Sequence, residues 1–97
     1  MIKKIIIYII YIYIMTLKWY KGTGDKKYKV EKYIRGKKIK TIQFGSKTYG
    51  QYKDKTPLKL YSHKDHLDPK RRKAYHARHN LNYETFSPGA FSKKYLW

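Results

Sequence analysis

The sequence lacks cysteine, which excludes two kinds of site, and it has few acidic residues, which leaves a large positive charge. Without cysteine the chain forms no disulfide and offers no thiolate to a metal ion. Its 97 residues hold 24 Lys and Arg but only 6 Asp and Glu, which gives a formal net charge of +18. Charge of one sign repels itself, and binding to a polyanion relieves that repulsion. The composition therefore favours nucleic acid, an anionic membrane face or an acidic protein surface as the partner.

Long hydrophobic runs are also missing. The one apolar run, residues 5–15, is shorter than the roughly 20 residues that a membrane-spanning helix needs. Three interpretations of residues 1–15 stay open: translated AT-rich DNA upstream of a true start at Met15, a signal-like or anchoring segment, or a buried strand. Membrane contact is expected only if this segment is retained. Residues 16–97 are predicted to form a single small basic domain.

The twelve tyrosines distinguish the chain from a disordered basic tail, because such tails are poor in aromatic residues. Two strand-like segments, 28–34 and 38–44, are joined by a short glycine-containing connection at 35–37, which is typical of a β-hairpin. A short third strand is predicted around residues 58–61, and the glycines within 19–27 indicate a turn-rich segment. Alternation along the two strands predicts shared faces that carry Tyr28, Val30 and Ile34 on the first and Ile42 and Phe44 on the second.

Two helix starts follow the strands. Asp68 before Pro69 is a favoured N-cap with a first-turn proline, and this helix is predicted to run to about His79. Ser87-Pro88 repeats the signal before a short C-terminal helix that carries Phe91, Tyr95, Leu96 and Trp97. The predicted fold is therefore α+β: a small β-hairpin or three-stranded antiparallel sheet followed by two short helices.

The first helix concentrates positive charge. Its cations are predicted to contact the phosphates of a nucleic acid, with an affinity that falls as salt rises: Lys70, Arg71, Arg72, Lys73 and Arg78. Interleaved tyrosines offer rings that stack on unpaired bases. No groove-reading motif accompanies them, so binding without sequence specificity is expected.

One face of the same helix carries an ordered stripe of side chains. Asp68, Arg71, Tyr75, Arg78 and His79 follow one another at helical spacing. Such a stripe either binds an anion or docks the helix onto the sheet. Docking is favoured for Tyr75, and both roles stay open for the two arginines.

Metal and nuclease chemistry have weaker support. The histidines at 63, 66, 76 and 79 have chelating spacing, but an all-histidine structural site is unusual and the neighbouring positive charge opposes a dication. The segment from His66 to Asn80 also resembles the histidine–asparagine–histidine endonuclease motif, although the predicted helix replaces the intervening turn. No metal or cofactor is predicted, and a metal-dependent nuclease is the least favoured function.

A longer pattern resembles a family of uncharacterised small basic proteins encoded by giant nucleocytoplasmic DNA viruses. This family-like pattern covers Tyr28 to Trp97 and consists of His66, Asp68, Arg71, Tyr75, Arg78 and His79, with Phe44-Gly45 upstream and Gly89, Ser92, Leu96 and Trp97 downstream. The resemblance implies a viral gene product, associated with the virion or the infected host cell, in a family without an established activity.

Together these observations predict a non-enzymatic viral accessory protein that binds polyanion, with DNA as the leading candidate. The alternative is a minor capsid or capsid-lining protein, in which the basic surface contacts acidic surfaces of viral structural proteins.

Overall fold

A three-stranded antiparallel sheet is followed by two helices in residues 14–97, the part of the chain that this computed structural model describes. The predictions for residues 1–13 lie outside it. The strands are β1 (Met15–Lys21), β2 (Lys26–Ile34) and β3 (Lys37–Ser46), in the order β1-β2-β3. A 3-10 turn (Ser62–Lys64) precedes α1 (Pro69–Arg78) and α2 (Pro88–Tyr95). The α+β prediction is confirmed.

The hairpin between β2 and β3 forms at the predicted connection. Ile34 pairs with Lys37, which leaves Arg35 and Gly36 as a two-residue loop. Their φ angles are 53° and 76°, so both residues adopt the left-handed backbone conformation. A loop of this kind matches the right-handed twist of the flanking strands, and glycine adopts it without a steric penalty.

The third strand is β1, and the prediction of a strand around residues 58–61 was wrong. Trp19 pairs with Val30, so part of the segment predicted to be turn-rich belongs to the sheet. Lys59 has a φ of 50°, a left-handed conformation that interrupts an extended strand. The main chain of this segment forms a hydrogen bond to a side chain and not to a neighbouring strand: the Leu60 amide donates to the Tyr28 hydroxyl at 2.9 Å.

The core lies on one face of the sheet. Val30 pairs with Ile42 and Tyr28 pairs with Phe44, and all four side chains are buried as the alternation predicted for them. The cover comes from α2 and the residues after it, through Phe91 and Leu96. Apolar burial of this kind is the main favourable term in folding.

The two helices begin where predicted. The Asp68 carboxylate accepts the Lys70 amide at 2.9 Å, and the Ser87 hydroxyl accepts the Ala90 amide at 3.3 Å. Each cap is followed by proline at the first helical position. Neither α1 nor α2 has the length and apolarity that crossing a membrane requires, and the same holds for the rest of residues 14–97.

A buried polar network holds the long connection between β3 and α1. Asp54 is 2% exposed, and its carboxylate accepts bonds from Tyr28, Thr56 and Tyr61. Asp65 accepts the Asp54 amide at 2.8 Å. These bonds pair the polar groups that an irregular buried segment would otherwise leave unsatisfied.

Candidate functional site

The cations of α1 point in different directions. Lys70 and Lys73 are exposed and form no hydrogen bond or ion pair through their ammonium groups with another residue of 14–97. Arg72 instead donates from Nε to the main-chain oxygen of Trp97 at 2.8 Å, and its guanidinium lies 4.8 Å from the Tyr52 ring centroid. Arg71 and Arg78 line a cavity on another side of the helix. The five predicted phosphate-binding residues therefore do not form one continuous surface.

Tyr75 docks α1 onto the rest of the protein, as favoured from the sequence. Its ring stacks on Trp97, with centroids 4.3 Å apart, and on His79, with centroids 4.1 Å apart. Its hydroxyl donates to Ser92 Oγ at 3.2 Å. Burial raises the pKa of Tyr75 above its ordinary value, so the hydroxyl stays protonated at neutral pH.

The cavity, of about 570 Å³, lies between the sheet and both helices. The start of β2, the end of β3, α1 and the first residues of α2 all contribute to its wall. Every position of the family-like pattern lines it except Asp68, which caps α1. Residues from Phe44 to Trp97 thus meet at one place that their separation in sequence does not reveal.

The wall of the cavity is positively charged. Lys26, Lys27, Arg71 and Arg78 line it, and no aspartate or glutamate is among the lining residues. Arg71 contacts Asp68 at 3.7 Å outside the cavity, whereas Arg78 forms no ion pair with the rest of residues 14–97. A concave, cationic wall focuses field lines and raises the local concentration of anions.

His66 lines the same wall, and one of its ring nitrogens is buried away from the cavity surface. Its Nδ1 accepts the Asp68 amide at 3.0 Å, so the proton of the neutral ring is on Nε2. This Nε2 is buried and has no hydrogen-bond partner among residues 14–97. A buried donor without an acceptor is costly, so this nitrogen lowers the stability of the fold.

Lys27 lines the cavity and was not predicted from the sequence. It is 1% exposed, and its ammonium donates to the Tyr49 carbonyl at 2.8 Å and to the Gln51 side-chain oxygen. Burial, reinforced by the nearby charge of Lys64, lowers the pKa of Lys27 to about 8. No sequence signal separates this lysine from its neighbours in β2, because its burial depends on the loop that covers it. Lys26 also lines the cavity and was missed for the same kind of reason, whereas Tyr49 and Tyr83, which line it too, are two of the interleaved tyrosines predicted to stack on bases.

Replacing Lys27 by methionine is expected to change how stability depends on pH. The pKa is about 8 in the folded protein and 10.5 ordinarily, so between these values the unfolded chain holds more protons. Rising pH therefore stabilises the wild type relative to K27M, by about 1 kcal/mol per pH unit near pH 9. Urea unfolding at pH 7.5, 8.5 and 9.5 measures this difference. The exposed Lys21→Met variant should show no such trend, and a pH-independent difference for K27M would contradict the assignment.

The four histidines serve separate contacts. His76 Nε2 lies 3.1 Å from the Trp97 main-chain oxygen, and His79 Nδ1 lies 3.1 Å from the Tyr83 hydroxyl. His63 packs beside Tyr61, with ring centroids 6.1 Å apart. Within residues 14–97, no three His, Asp or Glu side chains are grouped so that they could hold a metal ion.

Comparison with models of protein families, with curated proteins and with solved structures found no match. The resemblance to the viral family stays a prediction. The charged outer side of α1 and the cationic cavity are therefore the two features from which a function can be argued.

Proposed function

We propose that this protein is a non-enzymatic viral accessory protein that binds polyanions, chiefly DNA without sequence specificity, in or near the virion. The observation that carries the proposal is the outward side of α1. Lys70 and Lys73 are exposed there and make no ion pair with the rest of residues 14–97. Free surface ammonium groups neutralise phosphates and release the counterions that DNA holds.

The charge of the protein is mostly uncompensated by internal pairing. Within residues 14–97, only three ion pairs form: Glu31 with Lys38, Glu84 with Lys40 and Asp68 with Arg71. Most of the 24 lysines and arginines of the chain thus have no acidic partner in this part of the molecule. A polyanion supplies the missing negative charge.

The face of the sheet opposite the core offers a second basic surface. Lys18 lies over the Tyr33 ring at 4.5 Å from its centroid, and Lys29 lies over the Tyr20 ring at 5.1 Å. Tyr20 is 40% exposed. These lysines are compatible with phosphate contact, and the exposed Tyr20 ring is compatible with stacking on an unpaired base.

The double variant K70Q/K73Q is expected to bind duplex DNA more weakly and with a smaller salt dependence. Each lost phosphate contact removes about 0.9 from the slope of log affinity against log salt, so the slope should fall by about 2. Fluorescence anisotropy of a labelled duplex, titrated at several salt concentrations, measures both quantities.

The matched control is K21Q/K37Q, which removes the same charge from two exposed positions at the ends of strands. It should change the slope less than K70Q/K73Q. Equal effects of the two variants would contradict the assignment of the DNA phosphate contacts to α1. A wild type that binds no DNA even at low salt would overturn the proposal and leave acidic protein surfaces as the better partner.

A further inference from the structure

We infer that the cavity binds the phosphate of a nucleotide, either a free nucleoside monophosphate or the phosphorylated end of a nucleic acid strand. The inference deepens the proposed function and rests on it, because a strand held by the basic surface carries this group at its end. Lys70 and Lys73 do not line the cavity. The two activities can therefore be tested by separate variants.

The charges of the cavity fit an anionic group such as phosphate better than a cationic ligand. Lys26, Arg71 and Arg78 line it without any acidic lining residue, so a bound cation would be repelled. The guanidinium of Arg78 has its donors uncommitted among residues 14–97, as no hydrogen bond or ion pair involves that side chain. A planar guanidinium donates two parallel hydrogen bonds to phosphate oxygens.

A hydroxyl group in the wall is also available as a donor. Ser92 Oγ accepts the Tyr75 hydroxyl at 3.2 Å, so the proton of Ser92 itself is left to donate. Phosphate is the common biological ligand that accepts several hydrogen bonds at once from arginine and hydroxyl donors.

An aromatic side chain indicates that more than inorganic phosphate is bound. Tyr49 lines the cavity and is 71% exposed, so its ring is free to stack on a planar base. The stack of His79, Tyr75 and Trp97 forms a rigid part of the wall. The volume of about 570 Å³ lies within the range of about 300–1,000 Å³ that is usual for small-molecule sites.

Isothermal titration of the full chain with AMP, with adenosine as the matched ligand that lacks phosphate, tests the inference. AMP should bind at about 0.15 M salt and adenosine should bind far more weakly.

Variants of the cavity test which side chains bind AMP. Arg78→Gln should weaken AMP binding about tenfold, whereas Lys73→Gln, the same charge change on the outward side of α1, should weaken it less than about twofold. Tyr49→Ala should weaken it about fivefold or more through lost stacking. Both Arg78 and Tyr49 are exposed, and circular dichroism checks that the variants stay folded.

Competition with single-stranded oligonucleotides identifies the source of the phosphate. If a 5′-phosphorylated oligonucleotide displaces AMP and its 5′-hydroxyl counterpart does not, the cavity binds strand ends. If neither displaces AMP, it binds the free nucleotide. Failure of AMP to bind, equal binding of adenosine, or equal losses in R78Q and K73Q would each overturn the inference. Retained duplex binding in such a case would leave the proposed function intact. A wild type that binds AMP but no nucleic acid would remove the proposed function and, with it, the strand-end form of the inference.

Discussion

Asp54→Ala is expected to lower the free energy of unfolding by at least about 4 kcal/mol, enough to unfold much of a small domain. The carboxylate accepts the Thr56 amide at 3.0 Å, the Thr56 hydroxyl at 2.6 Å, the Tyr61 amide at 3.1 Å and the Tyr28 hydroxyl. Alanine leaves these buried donors without an acceptor, and each unsatisfied group costs about 1–3 kcal/mol.

Thermal and urea unfolding, followed by far-ultraviolet circular dichroism, measure the loss. Glu84→Ala is the control, because the Glu84 side chain is 83% exposed and its removal should cost less than about 0.5 kcal/mol. Tyr28→Phe should give an intermediate loss, since it removes one donor to Asp54 and the acceptor of the Leu60 amide. A D54A variant as stable as E84A would show that the connection between β3 and α1 is not held by this carboxylate.

Trp19→Ala is expected to cost about 3 kcal/mol, at the lower end of the range for a tryptophan truncated in a core, because the side chain is half-buried. The Trp19 ring packs against four others, with centroid distances of 4.9 Å to Tyr95, 5.8 Å to Phe91, 6.1 Å to Phe44 and 6.4 Å to Tyr28. It therefore joins β1 to α2 across the core face of the sheet, and alanine leaves a cavity there.

The neighbouring Tyr20 supplies the control, because it is 40% exposed and points to the other face of the same strand. Tyr20→Ala loses the contact with Lys29 and should cost less than about 1 kcal/mol. Urea unfolding followed by circular dichroism compares the two variants without relying on tryptophan fluorescence. Equal losses would contradict the packing of Trp19 on the core face of the sheet.

Local chemistry accounts for the elements that were predicted correctly. The caps at Asp68 and Ser87 act on amides two or three residues away, and the Arg35-Gly36 loop depends on its own φ angles. β1 was missed because only two of its residues, Leu17 and Trp19, face the core, and a glycine follows the strand directly. This alternating pattern is too short to predict a strand. The strand conformation of these two residues depends on pairing with β2, which lies later in the chain.

The candidate site was predicted only in part. Arg71, Tyr75, Arg78 and His79 were placed on one helix face, and all of them line the cavity. Which of the two arginines would bind and which would dock stayed open, because the answer depends on what the facing elements present. The role of Arg72 in fixing Trp97 also could not be anticipated, since the two residues are far apart in sequence.

The sequence by itself determined the excess of positive charge, the two capped helices and the hairpin, because each depends on composition or on residues within a few positions of one another. Only the tertiary structure decided that Lys27 is buried, that Asp54 organises an irregular segment and that the family-like positions surround one cavity. These features come from contacts between residues distant in sequence. Burial and pairing, which set the energy of a polar group, exist only once the chain has folded.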